Sequence, residues 1–168
     1  MTSPDNPVLS SILAFLEKIS LPYRLETVGG KTFLPGLDIE NGVLLIDTEQ
    51  LLYPGDILHE AGHIAVLEPQ KRDQTTGNAG VTSGFVDGEE IAAILWSYAA
   101  LSEIGLPPET VFHPHGYKDQ SDWHIENFAS GNYIGLPLLE WMGLAVSPEK
   151  AASQNAEPFP KMIRWKRE

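Results

Sequence analysis

Between Ile57 and Leu67 the chain reads ILHEAGHIAVL, a helix-forming run in which every residue other than His59, Glu60 and His63 is apolar or glycine. A helix that is apolar on nearly every side has to be buried, so the rest of the chain must fold around this segment. Three polar side chains go in with it, at a cost of about 1–3 kcal/mol for each group left unsatisfied and more for a charged one. Positions i and i+4 share a helix face, so the two imidazoles can grip one ion. Glu60, about 100° further round, can take a proton from water at the ion without being a ligand. The alternative, two histidines satisfied by hydrogen bonds in an ordinary core, explains one buried histidine better than two with a glutamate between them.

The chain has no cysteine, which leaves His, Asp and Glu as the only strong protein ligands. Imidazole and carboxylate donors point to a single zinc ion per chain, although such sites also accept other divalent metals. A formal charge of -12 argues against nucleic acid and anionic membrane surfaces as partners. The opening MTSPDNPVLS has no basic leader, and no run of about 18 apolar residues occurs, so a cytoplasmic protein without a membrane span is expected. At 168 residues, with 42% hydrophobic content, a single domain over 1–168 is expected. Its oligomeric state is left open.

Periodicity and turn chemistry place the other elements. Val8 to Ile19 has helical spacing and stops before Pro22. Thr32 to Asp47 reads as a hairpin around Glu40-Asn41-Gly42, since Asn-Gly between apolar runs favours a tight turn. The buried helix starts near Pro54 and Asp56 and is closed by Pro69. Gln70 to Gly88 is polar and aperiodic, suited to a lid over a cleft. Glu89 to Ile104 is a strong helix, and shorter ones are expected at Ser121 to Ala129 and in LPLLEWMG. The tail from Glu157 to Glu168 suits an edge strand or a packed arm, with KMIRWKRE as a solvated end or a clamp on the acidic body. The expected class is α+β, mostly helical, with a small β-hairpin before the HExxH helix. Trp96, Trp123, Trp141 and Trp165 are expected mainly in the core.

A third metal ligand follows from helix faces. Glu90 shares a stripe with Ile94, Ser97, Leu101 and Ile104, and so points inward; Glu89 lines up with Glu103 and suits a solvated helix start. Asp87 is a weaker alternative. Asp56, one turn before His59, suits an acceptor that orients its ring. His113-Pro114-His115 places two rings on one side of an extended segment, and with a further ligand would make a second metal site.

HEAGH on a buried helix, followed after a loop by EEIAAILWSYAA, resembles the gluzincin branch of the zincin metallopeptidases. The element order over about Leu9 to Leu106 is most similar to the compact ImmA/IrrE-type peptidases. Their usual register would put the third ligand at Glu89, one residue from the position the helix faces favour. Ile94, Leu95 and Trp96 depart from their usual run, and no helix-turn-helix segment is attached, so their regulatory role does not carry over. The resemblance implies zinc-dependent hydrolysis of a peptide or protein substrate with Glu60 as general base. It further implies an oxyanion donor, for which His113, His115, Tyr117 and His124 are the candidates. Two other readings compete: a zincin-fold metal-binding protein acting as a sensor or interaction module, and a metal-free helical domain in which HExxH occurs by chance.

Overall fold

A computed structural model describes residues 5–30, 32–77, 87–116 and 119–168. Helix α1 (Pro7–Lys18) begins where the Asn6 side chain accepts hydrogen bonds from the amides of Val8 and Leu9, with proline in the first turn. Leu9, Ile12, Phe15 and Leu16 form its buried stripe. Strands β1 (Tyr23–Leu25), β2 (Leu37–Glu40) and β3 (Val43–Ile46) make a mixed sheet in the order β1-β3-β2. The hairpin between β2 and β3 turns at Asn41 and Gly42, both at positive φ, as the Asn-Gly dipeptide demands. β1 runs parallel to β3 and is not apparent from the sequence, because three residues are too few for an alternating pattern to register.

Helix α2 (Asp56–Val66) carries HEAGH and is buried along almost its whole length. It packs against α4 (Asp87–Ile104), and the two cross where Gly62 meets Ala93. Between them Pro69 does more than end α2. It starts a short helix, α3 (Pro69–Gln74), because a proline costs nothing at a first helical position. The residues after α3 dock on the hairpin: Gly42 N–H donates to the Thr75 carbonyl and Gly77 N–H to that of Ile39. The stretch from Gln70 is therefore ordered at its start rather than aperiodic loop, and the lid expected further along falls on 78–86, outside the described residues.

Beyond α4, a 3-10 turn (Pro108–Thr110) leads to α5 (Ser121–Ala129), α6 (Leu136–Trp141) and α7 (Pro148–Ala151). The fold is α+β and mostly helical, with seven α-helices among the described residues and one small three-stranded sheet. The tail packs as an arm, not as a strand. Trp165 stands edge-on to Phe15 and Trp96, its carbonyl accepts from the Trp96 indole, and the Arg167 amide donates to the Ala65 carbonyl at the back of α2. Ion pairs from Arg167 to Glu68 and from Lys161 to Glu103 make the basic end a clamp on the acidic body. Trp96 is fully buried, but Trp141 is 73% exposed beneath the Arg167 guanidinium and Trp123 is half-exposed, so only part of the expected tryptophan core forms. Among the described residues no helix is long and apolar enough to cross a membrane.

Candidate metal centre

Two facing turns of α2 and the first turn of α4 meet at the centre. The Nε2 atoms of His59 and His63 are 3.0 Å apart, and Glu90 Oε2 is 3.4 Å from His63 Nε2. One donor atom from each of the three residues lies within 4.8 Å of the others, the one such group among the described residues. Tetrahedral ligands about 2.0–2.1 Å from a zinc ion stand about 3.3–3.4 Å apart, so the cluster is close to the right size for one divalent ion. Burial holds the His63 imidazole down to about 4, and burial together with His63 and His113 holds His59 well below its usual value. Both rings are thus neutral at pH 7, the form that binds metal.

Glu60 points into the same buried region. Its carboxyl is pushed up to about 8, chiefly by burial and then by the carboxylates of Glu90, Asp56 and Asp38. A carboxyl tuned to that range can exchange a proton near neutral pH.

The two acidic candidates on α4 are arranged differently from the stripe argument. Glu90 lies with the histidines, yet its side chain is 40% exposed, whereas Glu89 is buried, with Lys71 Nζ 3.9 Å from one oxygen and no hydrogen-bond partner for the other among the described residues. The premise of a solvated Glu89 face fails because α4 is sandwiched: Ala93, Trp96 and Ala100 on that face are as buried as Ser97 and Leu101 on the other. Glu90 sits where the cluster opens to solvent.

Asp56 takes a different partner from the one expected. Its carboxylate accepts a 2.7 Å hydrogen bond from His113 Nε2, and both residues are buried. Desolvation raises the Asp56 pKa, with the His113 bond opposing the rise. Gly55 makes this approach possible, since a Cβ there would lie 1.7 Å from the Thr110 carbonyl oxygen. Tyr53 stacks on His113 at 4.0 Å and also faces His115, which is exposed. The two rings do share one side of their segment, but they flank a tyrosine rather than an ion. His124 is built into an aromatic wall on α5 with Trp123, Phe128 and Phe112. Tyr117 lies outside the described residues, and Asp87 opens α4.

Tyr53, Gly55 and Asp38 were not foreseen as parts of this region. Tyr53 and Gly55 sit directly before the HExxH helix, and their position was the available clue; Asp38, on a strand, gave none. No family model, curated protein or solved structure matches this chain.

Proposed function

We propose that the chain is a zinc-dependent peptidase in which His59, His63 and Glu90 hold the ion and Glu60 is the general base. The observation that carries this reading is the position of Glu60, buried on α2 between the two histidines that form a three-donor cluster with Glu90. When bound, the ion supplies Lewis acidity, which lowers the pKa of water and polarises a carbonyl. Glu60 is placed to accept the proton released by the attacking water and to return it to the leaving amine. The Asp56–His113 pair fixes the 108–116 segment against the start of α2 and puts an imidazole close enough to depress His59. Amide substrates are proposed because the order of elements resembles that of zincin peptidases.

The test is Glu60→Gln, which keeps the side-chain shape and removes the base. Metal content should stay stoichiometric while peptide turnover falls about 10²–10⁴-fold. Full metal with no turnover of any peptide by the wild-type protein would reject the peptidase and leave a metal-binding module.

A further inference from the structure

Beside the metal cluster lies an apolar cleft of about 460 Å³, within the size range of small-molecule and side-chain sites. Glu90 belongs to both the cleft and the cluster, so whatever fills the cleft sits one side chain away from the ion. Ile91 and Ile94 extend the wall along α4, Trp123 and Phe128 contribute rings from α5, and Ile134 completes the apolar lining. Trp123 and Ile91 keep 49% and 37% of their surface exposed at the rim, which is unusual for large apolar residues. Among the described residues that line the cleft there is no lysine or arginine, and the one charge is the Glu90 carboxylate.

We propose that this cleft receives an aromatic or long apolar side chain of the peptide bound at the His59–His63–Glu90 site, a refinement that rests on the peptidase reading. Acidic side chains are disfavoured by Glu90 and by the net charge of -12. Small side chains leave the rings of Trp123 and Phe128 uncovered, whereas a benzyl or isobutyl group covers them and releases water from the rim. His124 is held neutral by desolvation among the aromatic rings and adds an uncharged wall. The shared α4 turn links the two functions: Glu90 faces the ion, and Ile91 and Ile94 face the side chain.

The isoleucines of the cleft give a direct readout. On zinc-loaded protein labelled at isoleucine methyl groups, N-acetyl-phenylalaninamide should shift the signals of Ile91, Ile94 and Ile134 and N-acetyl-alaninamide should not. Ile134→Trp, which fills the cleft, should abolish the response at Ile91 and Ile94; Trp123→Ala, at a half-exposed helix site, should weaken it. In parallel, peptides with phenylalanine beside the scissile bond should be cleaved at least about 10-fold more efficiently than those with alanine, and Ile134→Trp should erase that ratio with metal content unchanged. Equal shifts for the two amides, shifts confined to other isoleucines, or a response insensitive to both substitutions would overturn the cleft assignment. Absence of all cleavage by metal-loaded protein would overturn the peptidase reading alone, and the methyl shifts would still decide whether the cleft takes apolar side chains.

Discussion

Gly62 packs directly against the Ala93 backbone where α2 meets α4: a Cβ on Gly62 would lie 2.8 Å from the Ala93 carbonyl oxygen and 3.2 Å from the Trp96 ring. The obstacle at Ala93 is backbone, so it cannot rotate away. Ala93 lies one turn beyond Glu90, and Gly62 is adjacent to His63, so the separation of the helices at this point sets the distance from carboxylate to imidazole. Gly62→Ala should push α4 outward. We expect metal affinity to fall about 10-fold or more, as when the support of a ligand is lost, and stability to fall by about 1–3 kcal/mol. Competition titration with a chromophoric chelator measures the first and urea unfolding the second; unchanged affinity would remove the crossing from the account of the site.

The choice between the two acids on α4 is settled by metal content. Glu90→Gln should lose bound metal, as should His63→Ala, while Glu89→Gln should keep it. Glu89 is instead a buried carboxylate near Lys71, and its replacement by the neutral amide should leave the fold stable or improve it, since a buried charge with few partners is costly. Elemental analysis of proteins purified without chelator distinguishes them. Retention of metal in Glu90→Gln would move the third ligand elsewhere.

The elements with strong local rules were legible from the sequence. The Asn41-Gly42 turn, the helical spacing of α1 with its stop before Pro22, and the short helix at Ser121–Ala129 depend on a few neighbours in sequence, and each formed as expected. What was hidden depends on long-range approach. Asp56 meets His113 across 57 positions, and nothing local in either segment specifies that partner. On α4, helix faces point Glu90 toward the cluster only if the Glu89 face is wet. Both faces are buried, so periodicity carried no information about burial there.

The metal-free protein should show an unusual pH dependence. Between about 4.5 and about 8 the folded chain keeps the Glu60 proton that the unfolded chain has released, so stability falls as pH rises through this window. His63 acts in the opposite sense between about 4 and 6.5, where the unfolded chain holds a proton that the fold excludes, and His59 adds to it. Glu60→Gln isolates the first effect: with chelator present, its stability relative to wild type should increase from pH 5 to pH 8 by a few kcal/mol in order of magnitude. Chemical unfolding of both proteins at half-unit pH steps measures the difference. A flat difference would mean that Glu60 is ionised in the fold throughout.

The Asp56–His113 hydrogen bond should show strong coupling in a double-mutant cycle. Each alanine substitution leaves a buried partner unsatisfied, which costs roughly 2–4 kcal/mol, whereas the double variant leaves neither. The coupling energy should be about 1.5–3 kcal/mol, as for hydrogen bonds to charged groups. Additive losses in urea unfolding would mean that the two side chains merely adjoin. Because Gly55 allows this approach, Gly55→Ala should destabilise at least as much as either single change.

The C-terminal arm supports the HExxH helix from behind, and its side-chain and backbone contributions are separable. Trp165→Ala removes edge-on contacts with Phe15 at 4.9 Å and Trp96 at 5.6 Å but leaves the carbonyl that accepts from the Trp96 indole. A loss of about 2–3 kcal/mol, or roughly 5–10 °C in Tm, is expected with metal stoichiometry retained. Truncation before Glu157 also deletes the carbonyl at 165 and the Arg167 amide that donates to Ala65. That leaves the Trp96 indole N–H without its acceptor and opens the back of α2 to water, so the truncated chain should lose both stability and metal. If Trp165→Ala already released the metal, the ring itself would be holding α2 in register, and the backbone bonds of the arm would be secondary.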